Sequence, residues 1–271
     1  MKIHLLLLPV LVQCLSLAVF ADGASGDTQT ESNTIRASIV AAGVPAASLD
    51  RIQKFIEKNH DQQLIQEVYT CKNQLPSDLK PCDEKLREKT TKKITITSPQ
   101  YVAVVDFSKP SNQERFFLIN LKSGTVQKFL TTHGRGSGVG PWAYKFSNIK
   151  DSEQSSLGLY HIGEVYQGSK GSTLRMYGLE TSNDQAYSRD VVIHSAWYAT
   201  PDFITSINPK TGKPFGRLGV SWGCPAVAID TLKKIMPLLK GGGIIDLYQP
   251  DLMDAALSGK EVQVVPPTVD P

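Results

Sequence analysis

The sequence predicts a mainly β protein: an antiparallel β-sandwich or barrel-like domain preceded by a small N-terminal helical region. Short runs rich in β-branched and aromatic residues recur from about residue 94, and loops of hairpin length separate many of them. Regular short strands of this kind are typical of closed or two-layered antiparallel folds. The predicted strands cover residues 101–107, 115–121, 125–132, 158–166, 173–179, 190–194 and 243–248.

Helical spacing of apolar residues occurs on either side of these strands. Residues 35–40 fit one helix, and residues 52–64 fit a second helix that Ser48 or Asp50 caps. A third helix begins near Ala228, and Pro237 should end or kink it. Its inward face is predicted to carry Ile229, Leu232 and Ile235.

The N-terminus has the pattern of a secretory signal peptide over residues 1–21. Lys2 precedes a mainly apolar run from Ile3 to Phe20, and small and polar residues follow Ala21, where we expect cleavage. The alternative is an uncleaved membrane anchor, but Pro9 and Gln13 interrupt the run. No later stretch is long and apolar enough to span a bilayer. The sequence therefore predicts an exported protein of the periplasm or cell envelope, without a stable membrane span after cleavage.

The charge balance argues against a nucleic-acid partner. Loss of Lys2 with the signal lowers the formal net charge from +3 to +2, and no dense basic stripe occurs. Three cysteines then remain, in a compartment where disulfides persist. Cys71 and Cys82 lie close together in a polar segment and are predicted to pair. Cys224 is left as an odd thiol, which is either a reactive group or a buried inert one.

The segment around Cys224 suits a nucleophilic thiol. A strand delivers His194, a long loop follows, and the chain then reads Gly219-Val-Ser-Trp-Gly-Cys, with a helix starting shortly after Cys224. A histidine could take the thiol proton, and the positive end of the helix would favour the thiolate, so we expect a lowered thiol pKa. Gly223 allows a close backbone approach, and nearby N–H groups could stabilise an oxyanion.

Other chemistries fit the sequence poorly. Neither Cys-x-x-Cys nor His-Glu-x-x-His occurs, so no metal site and no cofactor is predicted. Gly219-Val-Ser-Trp-Gly could place Ser221 in a serine nucleophile elbow, but that mechanism needs a later histidine, and no histidine follows Ser221. His133 opens a glycine-dense loop that lacks the Walker pattern, and this loop is predicted to line a substrate site.

These blocks together resemble the murein L,D-transpeptidase catalytic domain family (YkuD-like), whose core ends in Ser-x-Gly-Cys with a histidine upstream. The resemblance covers most of residues 101–248 in several separated blocks: Val105-Asp-Phe-Ser-Lys-Pro, Phe146-Ser-Asn, Ser155-Ser-Leu-Gly-Leu-Tyr, Val192-Ile-His and Gly216-Arg-Leu-Gly-Val-Ser-Trp-Gly-Cys-Pro-Ala. It implies a β-rich catalytic domain with Cys224 as nucleophile and His194 as base, and Gly223 and Ser221 shaping the turn and oxyanion site.

The resemblance also implies a substrate and a reaction. Cys224 would form an acyl-enzyme with a peptidoglycan stem peptide and pass it to a second stem, giving a 3–3 cross-link. Two alternatives stay open: an L,D-carboxypeptidase or other hydrolytic cysteine peptidase, and a non-catalytic wall-binding module. Substrate contacts cannot be carried over, because Ala226 replaces the arginine and Ser195 the glycine common in the family. Candidate substrate-binding residues are Arg217, His133, Tyr160 and Trp222.

The predicted organisation follows from these features. After the signal peptide, residues 22–92 form a flexible leader and a helical region with the disulfide, residues 93–250 the catalytic domain, and residues 251–271 a loose tail. The segment from residue 71 to residue 92, rich in Lys, Asp, Glu and Pro, is predicted to be a stapled loop or short helix. The group that orients His194 is either a backbone carbonyl or Asp190.

Overall fold

The computed structural model describes residues 24–75 and 78–265. The predicted signal peptide and the last six residues of the predicted tail lie outside these ranges. The chain divides after Thr34 into two units, and all contacts below belong to the second. The helices are α1 Ala24–Ala41, α2 Ala46–Asn59, α3 Pro201–Thr205, α4 Ile229–Leu239 and α5 Met253–Leu257.

The strands are β1 Gln63–Cys71, β2 Arg87–Thr95, β3 Tyr101–Asp106, β4 Phe116–Asn120, β5 Val126–Phe129, β6 Lys145–Phe146, β7 Gly158–Gly168, β8 Gly171–Gly178, β9 Val192–Ser195, β10 Ala226–Val227, β11 Ile244–Tyr248 and β12 Val262–Gln263. Short 3₁₀ turns occupy Glu84–Leu86 and Trp197–Ala199. Within the described ranges, no helix has the length and apolar content needed to cross a bilayer.

A sheet of eight strands, counted over the described residues, forms the centre of the fold. Its strand order is β10-β9-β8-β7-β11-β3-β4-β5. Most neighbours are antiparallel, whereas β3 with β11 and β9 with β10 are parallel. The predicted mainly β fold class is confirmed, and every strand predicted from the sequence has a counterpart in this sheet.

The core lies around β3, β4 and β11, whose side chains are almost all buried. Near-continuous apolar runs like these are expected of strands that are covered on both faces. Helix α2 contacts β11, and α4 contacts β3 and β9. Leu232 and Ile235 of α4 are buried as predicted, but Ile229 is exposed, and the helix continues past Pro237 to its end at Leu239.

A polar contact joins α2 to the middle of β11. Asp246 is completely buried, accepts a 2.8 Å hydrogen bond from Ser48 Oγ and forms an ion pair with Arg51. Arg51 also forms an ion pair with Glu180. Burial raises the pKa of Asp246 to about 6 despite the attraction of Arg51. The helical N-terminal region is thus tied to the sheet by charge as well as by apolar packing.

Residues 63–95 form a β-hairpin where the sequence predicted helix, loop or short helix. β1 and β2 pair antiparallel from Gln63 with Thr95 to Cys71 with Arg87. Most of their side chains are polar and exposed, so the apolar alternation that signals a half-buried strand is absent. The predicted disulfide is confirmed: Cys71 and Cys82 are bonded and close the hairpin loop.

The C-terminal segment up to residue 265 is ordered against the sheet, although the sequence predicted a loose tail. Helix α5 buries Met253 and Ala256, and Val262 of β12 pairs with Phe146 of β6. Burial of a few apolar residues orders this segment, although its Pro-rich composition is typical of a loose tail.

Candidate active site

One cavity of about 860 Å³ brings together residues from distant parts of the chain. The disulfide-closed loop contributes Lys80 and Pro81, and the β7–β8 hairpin contributes residues 168–170 with Tyr166 and Thr173. The remaining wall is formed by Asp190, Val192, His194, Tyr198, Val220, Ser221, Trp222 and Cys224. His194 and Cys224 both line it, as do Ser221 and Trp222. Four residues predicted for the site therefore share one cavity.

Cys224 lies in a tight turn that only glycine permits at the preceding position. Gly223 has φ of +123°, and a Cβ there would lie 2.9 Å from the carbonyl oxygen of Gln154. Ser221 Oγ donates to the carbonyl of Cys224 at 2.6 Å and accepts from the N–H of Gly223 at 3.1 Å. Ser221 thus closes the turn through hydrogen bonds on both sides of Gly223.

The glycine-dense loop after β5 supports this turn from behind. Ser221 N–H donates to the carbonyl of His133, and Arg135 N–H donates to the carbonyl of Ser221. Ser155 Oγ donates to the carbonyl of Gly223 at 2.9 Å. The position of Cys224 is therefore set by backbone hydrogen bonds to two other loops.

The sulfur of Cys224 contacts the segment that leads into His194. The thiol lies 3.7 Å from the carbonyl oxygen of Asp190, and the backbone N–H of Val192 donates to the sulfur. Val192 and His194 lie on one face of β9, about 7 Å apart along the strand. Ala226 of β10 is directly opposite His194 in the parallel pair. Both connections place Cys224 and His194 on neighbouring segments that line the same cavity.

The thiol pKa is raised, contrary to the lowering expected from the sequence. Burial is the main cause, and the nearby Asp190 adds to it. The Val192 N–H and the guanidinium of Arg189 act in the opposite direction but do not outweigh burial. The two-residue strand β10 separates Cys224 from the start of α4, so the first turn of the helix does not begin at the sulfur.

His194 is oriented by a backbone carbonyl. Its Nδ1 lies 2.9 Å from the carbonyl oxygen of Ser195, which places the proton on Nδ1 and leaves the Nε2 lone pair available. Burial lowers the pKa of His194, and the positive charge of Lys170 adds to this effect. The other candidate, the carboxylate of Asp190, instead binds Tyr69, Arg87 and Arg175.

The remaining predicted substrate contacts do not reach the cavity, with the exception of Trp222, whose side chain is 78% exposed. His133 is fully buried between Arg115, 2.9 Å from Nδ1, and the carbonyl of Gly138. Tyr160 is also fully buried, and its hydroxyl is hydrogen-bonded to Ser156. The predictions for His133 and Tyr160 are corrected accordingly, because both are structural residues of the interior.

Arg217 does not line the cavity either. It is half-buried, and its guanidinium donates to the carbonyl of Leu218 at 2.6 Å. Arg217, predicted to bind substrate, therefore lies outside the cavity in the arrangement described.

Three basic residues at or near the cavity were not predicted from the sequence: Arg189, which lies outside the cavity lining, and Lys80 and Lys170, which are part of it. Arg189 is part-buried and donates to the carbonyls of Ser147 and Gln154, so its charge is fixed near Cys224. Lys80 and Lys170 are surface lysines that become cavity residues only through the hairpin and the β7–β8 turn. Local spacing carries no signal for any of them.

The mainly β fold and a cavity lined by a free thiol and a histidine define a candidate active site. The chain belongs to the L,D-transpeptidase catalytic domain family, whose model matches residues 78–248. This family of acyltransferases acts on peptidoglycan, which places its substrate in the cell envelope. Comparison with curated proteins gives no match.

Solved structures that the chain resembles include three L,D-transpeptidases. The LD transpeptidase LdtMt1 in complex with imipenem is 14% identical, with 72% of this chain and 85% of that chain covered and a TM-score of 0.33. An L,D-transpeptidase from Mycobacterium smegmatis is 12% identical, with 73% and 85% covered and a TM-score of 0.33. One from Mycobacterium tuberculosis H37Rv is 14% identical, with 60% and 62% covered and a TM-score of 0.32.

Proposed function

We propose that this protein forms 3–3 cross-links between peptidoglycan stem peptides through an acyl-enzyme on Cys224. The observation that carries the proposal is the shared cavity, in which a histidine with an available Nε2 and the free thiol both face open space. Of the cysteines in the described ranges, the other two are bonded to each other. The catalytic domain would comprise residues 93–250.

The directions of the two pKa shifts favour a neutral resting pair. A raised thiol pKa and a lowered imidazole pKa both disfavour a standing thiolate–imidazolium pair. His194 then acts as a general base: Nε2 takes the Sγ proton as the sulfur attacks the carbonyl carbon of the third stem residue. The carbonyl oxygen becomes an oxyanion in this step.

The oxyanion needs hydrogen-bond donors that the resting protein has not already used. The Gly223 N–H donates to Ser221 Oγ, whereas the Cys224 N–H has no acceptor among residues 24–75 and 78–265. The Cys224 N–H is therefore the donor we assign to the oxyanion. The strained turn at Gly223 sets the direction of that N–H.

The intermediate then collapses with proton balance kept. The carbon–nitrogen bond to the terminal amino acid breaks, its nitrogen receives the proton from Nε2, and a thioester remains on Cys224. An amine of a second stem attacks the thioester and gives a proton to His194, which returns it to the departing sulfur. If water attacks instead, the products are a tripeptide and the free enzyme, which is carboxypeptidase activity.

The test is to incubate the mature protein with a disaccharide tetrapeptide and measure product masses. Cross-linked dimers are expected, and tripeptides alone would mean a carboxypeptidase. Cys224→Ser should abolish turnover, and His194→Gln should slow it on the order of 10²-fold or more. His60→Gln is the matched control, because His60 is exposed and lies at the end of α2, outside the cavity.

A carbapenem separates an enzyme from a wall-binding module. The thiol of an active L,D-transpeptidase should acylate, giving an adduct on Cys224 by peptide mass mapping. Unchanged muropeptides together with an unmodified thiol would overturn the enzymatic proposal in favour of a binding protein.

We further propose that residues 1–21 direct export to the periplasm or cell envelope and are removed after Ala21. The charged, apolar and small-residue segments of the sequence support this. The mass of the protein recovered from the envelope should correspond to a chain that begins at Asp22, whereas a retained apolar segment would indicate an anchor.

A further inference from the structure

Two lysines line the cavity that holds Cys224 and His194. Lys80 lies in the disulfide-closed loop, and Lys170 lies in the β7–β8 turn. Both residues are exposed, and neither ammonium group forms an ion pair within the part of the chain that the structure describes. Their positive charges are available to a ligand.

The cavity has no free negative charge to balance them. Asp190 is the one carboxylate among the described residues that line it. Its oxygens bind the guanidinium groups of Arg87 and Arg175 and the hydroxyl of Tyr69. The cavity is therefore set up electrostatically for an anionic ligand, with Lys80 and Lys170 as its exposed cations.

Lys170 is the lysine tied to the catalytic strand. The hydroxyl of Ser195, the residue after His194, donates to the carbonyl of Lys170 at 3.4 Å. The charge of Lys170 also contributes to the lowered pKa of His194. The β7–β8 turn thus places the backbone of Lys170 beside the catalytic strand, and the lysine charge acts on the imidazole.

The reaction places a carboxylate at that position. His194 must deliver its proton to the nitrogen of the leaving amino acid, and the carboxyl carbon of an α-amino acid is only two bonds from that nitrogen. The carboxylate oxygens therefore lie within roughly 4 Å of the atom that the imidazole protonates. A flexible lysine side chain beside the imidazole can reach them.

We propose that Lys170 binds the terminal carboxylate of the donor stem peptide, and that Lys80 adds a second positive charge from the disulfide-closed loop. This inference rests on the proposed function. It makes Lys170 a specificity-determining residue that selects donors with a free carboxyl end, so that the enzyme releases one terminal amino acid and does not cut within longer chains.

The first experiment compares a tetrapeptide donor with its C-terminal amide. Wild-type protein should prefer the free acid about tenfold in kcat/KM, mainly through KM, because the amide lacks the charge that the ammonium group binds. At a pH well above the acid limb of His194, Lys170→Gln should reduce this preference, because the acid is slowed more than the amide. Lys128→Gln, an exposed lysine on β5 outside the cavity, is the matched control and should behave as wild type.

A binding measurement keeps this inference separate from the proposed function. In a Cys224→Ala background, calorimetry should show tighter binding of the acid than of the amide, and adding Lys170→Gln should remove the difference. That result supports the carboxylate site even if no peptide is ever turned over. Equal binding of acid and amide, or an equal loss of both in Lys170→Gln, overturns it. Lys80→Gln should weaken binding of the acid by a smaller factor, and no effect would remove Lys80 from the site.

Discussion

At Cys224 and His194, burial works against charge on both partners. The sulfur is held by backbone groups of Asp190 and Val192, and the imidazole by the carbonyl of Ser195. These contacts fix the positions of the two side chains, but they do not lower the thiol pKa enough to produce a resting thiolate. The nucleophile should therefore be generated only when substrate arrives and His194 removes the proton.

This arrangement predicts where the acid limb of activity lies. His194 must be neutral to act as base, so activity is present above its pKa and is lost as the pH falls through it. Because burial and Lys170 lower that pKa, the rate of carbapenem acylation should stay high below pH 6.5, the ordinary histidine value. Lys170→Gln should move the limb upward, since it removes a neighbouring positive charge. A wild-type limb above pH 6.5 would contradict the buried neutral imidazole.

Gly223 gives a second residue-scale prediction. Gly223→Ala should cost about 1–3 kcal/mol of unfolding free energy and suppress acylation of Cys224, because φ is +123° and the new Cβ would meet the Gln154 carbonyl. Gly212→Ala is the matched control. Its φ is +69° with no atom within 4 Å of the added Cβ, so a loss of about 1 kcal/mol with unchanged acylation is expected. Equal effects at both glycines in acylation assays would refute the role of the turn.

The sequence was informative at this scale where one short segment carries the chemistry. Cys224, Gly223 and Ser221 lie within four positions, and a histidine at the end of an apolar strand completes the pattern. His133 and Tyr160 were misjudged because a polar side chain in a loop or strand does not reveal which way it points. Only the three-dimensional contacts with Arg115 and Ser156 show that they are interior groups.

At the scale of elements, the β1–β2 hairpin matters because its disulfide-closed loop contributes Lys80 and Pro81 to the cavity. Asp190, in the left-handed region with φ of +54°, connects the hairpin to the catalytic strand. Its carboxylate binds Arg87 of β2 and Tyr69 of β1, while Arg175 of β8 donates to the carbonyl of Leu79 in the hairpin loop. These polar contacts, together with an apolar cluster in which Ile94 of β2 packs with Tyr177 of β8, hold the hairpin in place.

Asp190→Asn should loosen the hairpin without changing the backbone, because asparagine tolerates a positive φ. We expect a loss of about 2 kcal/mol in unfolding free energy and faster hydrogen exchange across residues 63–95. The control is Asp230→Asn, which removes an exposed ion pair with Lys233 within α4 and should change stability by less than about 0.5 kcal/mol. Unchanged exchange in the hairpin of Asp190→Asn would show that other contacts hold it.

The hairpin also shows why some elements could be predicted and others could not. Strands β3, β4 and β11 contain apolar runs that lie in the core, so burial and pattern agree. β2 is mostly polar and exposed, whereas β1 mixes polar and apolar residues of which few are fully buried. Their position depends on their pairing with each other and on contacts with β8 and the segment before β9. Because these partners are distant in the sequence, local periodicity cannot predict the contacts of the hairpin.

At the scale of the whole molecule, the interior contains a buried arginine, Arg115, beside a neutral histidine, His133. Arg115 is fully buried and donates to the carbonyls of Thr131 and Lys109 as well as to His133. Burial and this neighbour lower the pKa of His133 to about 3. The order of the eight strands, including the insertion of β11 between β3 and β7, could not be predicted from the sequence, because it is fixed by long-range packing of this interior.

This histidine should make the folded state sensitive to acid. Because its folded pKa is below the unfolded value near 6.5, the unfolded chain binds more protons at pH 5, and stability falls with the pH. Between pH 7.5 and pH 5 this group should remove about 2 kcal/mol of unfolding free energy. In urea unfolding at both pH values, the unfolding free energy of His133→Gln should fall by about 2 kcal/mol less than that of the wild type. His60→Gln should match wild type, and a parallel decline in His133→Gln would exclude His133 as the cause.

The disulfide at the edge of the cavity has a practical consequence for anyone handling the enzyme. Reductants are routinely added to keep a catalytic thiol from oxidising. Here the same reagent can reduce the disulfide between Cys71 and Cys82, which closes the loop that carries Lys80 at the edge of the cavity. Activity lost in dithiothreitol would then report a deformed entrance and not a damaged nucleophile. Preparations kept under mildly oxidising conditions, with the free thiol quantified, are the appropriate starting material.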